Sequence, residues 1–208
     1  MNLTRDVFAE VGRRLADLGV RRGRGRALAV PGERGDAIVV SPQTVPSGLP
    51  DRAEFMVNVW NHLVPWTAYL RDESPDEARS QKPEYAQAVY HARLTSSANG
   101  YLPELWAVAP ETLAKVTDDL AARLREALTE TWLPILPRAE LRALIRDRER
   151  AGPSFLRDRA TIDLMCRIED MDGGDLRDLV RYFHTREADN PELGRLAGWI
   201  ERYFLTTR

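Results

Sequence analysis

Asn58, His62, His91 and Arg93 are the side chains of this sequence best suited to build a site. His91 and Arg93 are two positions apart, so on a strand they point from one face. An imidazole can exchange a proton near neutral pH, and a guanidinium grips carboxylate or phosphate with paired N–H groups. If the strand that carries Asn58 pairs with theirs, the three can line an anion pocket. Trp60 sits between Asn58 and His62 at the same period and extends the row into a polar-aromatic surface. The same residues also describe an ordinary sheet face, with Trp60 packed under a loop for its buried area.

Other chemistries find less support. The three histidines, His62, His91 and His184, have no metal-ligand spacing from one another or from Cys166, and no cysteine pair exists. No metal and no cofactor is therefore expected. There is no Gly-x-Ser-x-Gly, no Walker-type loop and no dinucleotide fingerprint. The acidic pairs Asp118-Asp119 and Glu169-Asp170 are sequence neighbours on helices, which do not face the same way. A nuclease built on the strand acids Asp36 and Glu54 would lack a nearby lysine. Cys166 lies in an apolar helical pattern with Ile162 and Met165, which predicts a buried, inert thiol.

Two further features can bind without reacting. Arg21, Arg22, Arg24 and Arg26 crowd a glycine-rich run that can hold phosphates, or can be a solvated entry to the next strand. Trp66, in Leu63-Val64-Pro65-Trp66, is the tryptophan expected on a loop, where an aromatic can anchor a partner. Lys82 and Lys115 are the only lysines, so 28 of the 30 basic residues are arginine. A net charge of −2 argues against a dedicated nucleic-acid binder.

Arg52–Leu63 must position the central row. Ala53, Phe55, Val57 and Val59 alternate with Glu54, Met56, Asn58 and Trp60, the mark of a half-buried strand. Ala27–Val30, Ala37–Val40, Val89–Thr95 and Leu105–Val108 read as further strands, with Ser41–Pro50 as a loop. Leu3–Leu18 is a helix with Thr4 as its cap and Gly19 as its stop, and Glu111–Thr131 is another. Trp66–Ala88 reads as a surface excursion with a short helix over Asp72–Arg79. Pro137 opens a helix that Gly152-Pro153 closes. Beyond it, three helical patterns over Phe155–Met171, Leu176–Thr185 and from Asn190 are separated by Gly173-Gly174 and capped by Asn190-Pro191.

The expected class is α+β: an antiparallel sheet of four to five strands packed with helices, plus a C-terminal helical extension. Residues 1–152 form the α+β part, and 153–208 pack on it. At 208 residues with 43% hydrophobic content, a sizeable core is available. The N-terminus lacks an apolar stretch of the signal-peptide kind, and no run approaches the roughly 18 residues of a membrane span. A cytoplasmic protein with no membrane contact, monomeric or homodimeric, is expected.

The order helix, Leu18–Arg26, strands, Phe55–Asn58, then Arg93-Leu94 with Trp106 resembles a bacterial family catalogued as domain of unknown function 4304. The resemblance covers residues from about 3 to 150. The chain departs from it in the Val64–Ala88 insertion and in the lack of an aromatic in Ala27–Val30. It implies an α+β fold and no particular activity.

Three functions follow as expectations. The first is a non-enzymatic, immunity-like protein that binds another protein through the sheet face or the Trp66–Ala88 excursion. The second is an enzyme with a pocket of Asn58, His62, His91 and Arg93. The third is a nucleic-acid-binding accessory protein that uses Arg21–Arg26.

Overall fold

Phe55, Val57 and Val59 are no more than 1% exposed, and their strand, β4 (Ala53–His62), runs through the middle of the sheet. The computed structural model describes residues 2–23, 25–49, 51–74, 88–96, 104–147 and 158–206. β3 (Ala37–Val45) pairs along all of β4, from Ala37 opposite His62 to Val45 opposite Glu54. β2 (Leu28–Pro31) flanks β3, and β1 (Arg21–Arg22) closes that edge.

On the other side of β4, β5 (Ala88–Leu94) and β6 (Leu105–Val108) lie end to end. Val57 faces Leu94, and the next residue back, Met56, faces Leu105. The Trp106 indole N–H spans the break, donating to the Leu94 carbonyl at 3.2 Å. Every pairing is antiparallel. The fold is α+β with an antiparallel sheet.

The expected loop over Ser41–Pro50 is corrected. Residues 41–45 continue β3, because β4 is long enough to pair with them. β2 begins at Leu28, opposite Val40, so among the described residues Pro42 stands where β3 has a strand neighbour on one side only, a position that tolerates a strand proline.

α1 (Leu3–Arg14) and α3 (Leu113–Ala127) lie on the Phe55/Val57/Val59 face, since that face is apolar and must be covered. Phe8 meets Phe55 edge-on with ring centroids 5.9 Å apart. The cap of α1 is Asn2, whose side chain accepts from the Arg5 N–H; Thr4 is buried instead. A 3₁₀ turn over Ala16–Leu18 follows, and Gly19, at φ +76°, ends it in a conformation that favours glycine.

The Trp66–Ala88 region is also corrected in part. α2 (Val64–Glu73) is a helix with Pro65 in its first turn, which costs no intrahelical bond. Of the short helix expected over Asp72–Arg79, residues from 75 onward lie outside the described ones. α3 runs into a π turn over Leu128–Trp132, and α4 (Arg138–Arg146) starts directly after Pro137.

The C-terminal elements are α5 (Arg159–Arg167), α6 (Gly173–Arg186) and α7 (Pro191–Ile200). Gly173-Gly174, expected as a break, opens α6. The Asp172 carboxylate accepts from the N–H groups of Gly174 and Asp175, and this cap outweighs the glycines' poor helix propensity. Gly152-Pro153, Phe155 and Leu156 lie outside the described residues. α5 packs on α4, and α5 and α7 pack on α2. Buried side chains from Leu3 to Ile200 form one continuous core.

A buried charge cluster ties these layers together. Asp36, 3% exposed, leads into β3. Its carboxylate accepts from Arg138 Nε at 2.6 Å and from a second guanidinium N–H at 3.0 Å. It also accepts from the Val64 N–H at 2.9 Å, so it caps α2 from outside. Arg138 donates further to Glu169 at 2.6 Å, just after α5.

Cys166 is 2% exposed, and burial pushes its thiol up to about 12, against the opposing charge of Arg138. The native protein is expected to resist a thiol reagent at pH 8 and to label only as fast as it opens. Rapid stoichiometric labelling without denaturant would contradict this burial.

Candidate functional site

The second face of β4 carries the candidate row. Asn58 and Trp60 point there by strand parity, opposite Ser41 and Val39 on β3 and opposite Arg93 and His91 on β5. Asn58 is 3% exposed and Trp60 7%, whereas His91 is half-buried and Arg93 exposed. Two residues thus lie in the base of the row and two stand on it.

The contacts form a chain across three strands. The Asn58 amide N–H₂ reaches Gln43 Oε1 at 3.5 Å, which turns the amide oxygen toward His91 Nε2 at 3.0 Å. A neutral ring that donates from Nε2 to this oxygen keeps Nδ1 as an acceptor. His91 stacks on Trp60 at 4.1 Å between centroids, 25° from parallel. The indole N–H of Trp60 donates to Ser41 Oγ at 2.9 Å. Arg93 pairs with Glu104 at 2.7 Å.

Burial, and secondarily the charge of Arg93, lowers the pKa of His91 below its ordinary value. The neutral ring is thus the favoured form at neutral pH. The unfolded chain binds more protons than the folded one between the two pKa values, so stability falls as pH drops from 7 through the ordinary value of about 6.5 toward the lowered one. Below that it no longer depends on this residue. His91→Gln is expected to flatten the fall, read as denaturant midpoints at pH 7, 6 and 5. An unchanged slope would show that His91 does not carry it.

The structure brings Asn58, Trp60, His91 and Arg93 together. His62 stands beyond a bulge, opposite Ala37 and Ala88. Trp66 is corrected from a displayed anchor to a core residue, 7% exposed and tilted against Tyr69 at 5.6 Å. Its neighbours in α2 meet the C-terminal helices, which is why the loop placement fails. Arg21 and Arg22 form the edge strand, Arg26 lies in the turn after it, and Arg24 lies outside the described residues.

Sequence reasoning missed Ser41, Gln43 and Glu104. Ser41 and Gln43 fell in a stretch read as a loop, although their spacing of two was the available signal. A cleft of about 590 Å³ lies elsewhere, between β6 and the start of α3. Of its charged side chains, Arg52 pairs with Glu54, Asp118 with Arg14 and Asp119 with Arg123, and Lys115 completes the wall.

Comparison with family models, curated proteins and solved structures found no match to this chain. Among the described residues, no three His, Cys, Asp or Glu side chains converge to hold a metal ion. No described helix is long and apolar enough to cross a membrane.

Proposed function

We propose that this is a non-enzymatic binding protein, which recognises another protein through the sheet face built on Asn58, Trp60, His91 and Arg93. An immunity-like role, neutralising a partner by occupying it, is one form this takes. The supporting observation is that the row is already assembled. His91 is held from below by Asn58 and from the side by Trp60, and Arg93 is held by Glu104. Side chains fixed before the encounter lose little freedom on binding, which favours recognition.

Immobilised full-length protein is the bait for the test, beside a His91→Ala/Arg93→Glu variant matched for melting temperature. The expected result is a discrete partner protein retained by the first and lost from the second. A partner retained equally by both would contradict the assignment of this face.

A further inference from the structure

We propose a second binding surface, independent of the sheet face: an arginine-rimmed cleft between α1 and the β1–β2 edge that takes an acidic, extended segment of a protein partner. The cleft encloses about 470 Å³. Arg5 and Arg13 of α1 line one side, and Arg22 and Arg26 the other. Among the described residues, no acidic side chain lines it. Asp6 and Glu10 pair with Arg5 and Arg13 from outside the cleft. Among the described residues, Arg22 and Arg26 make no ion pair or hydrogen bond through their side chains, and both are exposed. Arg22 and Arg26, uncompensated among the described residues, focus a positive field on the concavity in a chain whose net charge is −2.

The floor selects among anions. Ala9, Gly12 and Ala16 offer a shallow apolar surface. Phe8 also lines the cleft but is 2% exposed, so among the described residues no aromatic face is offered for base stacking. That favours a carboxylate-bearing peptide over a nucleic acid. β1 is the terminal strand of the sheet, so one of its edges has no strand partner among the described residues and can pair with an added one. Arg5 and Arg13 are eight residues apart, about 12 Å along the helix. An extended peptide covers that distance in about four residues, so alternate acidic side chains can reach both ends.

The probe is a fluorescein-labelled peptide of alternating Glu and Val, seven residues long, titrated into the full-length protein at low salt. It should bind, and Arg22→Glu/Arg26→Glu should weaken it roughly tenfold or more, because charge-assisted contacts become repulsive. Arg177→Glu/Arg181→Glu, the same charge change on exposed positions of α6, should leave the affinity unchanged. Ala16→Trp, which obstructs the floor without changing charge, should also weaken binding. Absence of binding, equal loss in both charge variants, or displacement of the peptide by oligothymidylate would overturn the proposal. The last outcome would assign the cleft to nucleic acid.

Discussion

Arg138→Ala is expected to cost about 3–5 kcal/mol, read as a fall in the denaturant midpoint. The guanidinium side chain is 9% exposed and bridges Asp36, 3% exposed, to Glu169. Its removal strands a buried carboxylate that keeps only the Val64 N–H among its present partners. That is the costly case for an ion pair, since desolvation has been suffered and the compensating charge is gone. A domain with about 5–15 kcal/mol in total has little left after such a loss. Arg34→Ala, which removes a half-exposed pairing with Asp170, is the control and should cost less than about 1 kcal/mol. Equal effects of the two substitutions would show that the Asp36–Arg138 pair does not bind the layers together.

Trp199→Ala is the second large effect, about 3–5 kcal/mol, because a buried tryptophan leaves a cavity its neighbours cannot fill. Trp199 is 1% exposed. It meets Tyr69 edge-on at 5.5 Å and Phe204 at 5.5 Å, so it sits where α7 seats on α2. Polar contacts frame the same seam: Tyr69 with Glu192, Arg71 with Tyr203 at 3.0 Å, and Arg202 with Glu73. Shortening the chain to residues 1–152 removes this cover along with Met165 and Ile162. The shortened protein is expected to lose solubility, as Tyr69, Leu70, Leu141 and Leu144 come into water. A soluble fragment with an unchanged melting temperature would show that the C-terminal helices contribute nothing to the core.

Much of the sheet was legible because Phe55, Val57 and Val59 mark one apolar face of β4 and its neighbours have turn residues between them, although its second face, with Asn58 3% and Trp60 7% exposed, is buried as well. Periodicity reports burial, so it placed Phe55, Val57 and Val59 inward and Asn58 on the other face. It could not report partners far apart in sequence. Asp36 and Arg138 are 102 residues apart, and nothing in the pattern around either one points to the other. Pro42 and Pro65 misled for one reason: proline marks a boundary unless its missing N–H falls where no bond is needed. Trp66 misled because a tryptophan beside proline looks like a loop until a second layer of helices, drawn from the far end of the chain, covers it. Within the site, the His91–Asn58 pairing followed from strand parity, whereas Glu104 reaches Arg93 only because β6 resumes the lane that β5 leaves.

A photo-crosslinking residue in place of Arg93 tests the binding face most directly, with the same residue in place of Arg181 on α6 as the comparison. In the extract of the native host, the probe at position 93 should give one discrete adduct that excess unmodified protein abolishes, and the probe at position 181 should give none. A competable adduct at 181 with none at 93 would contradict the assignment of partner recognition to the sheet face.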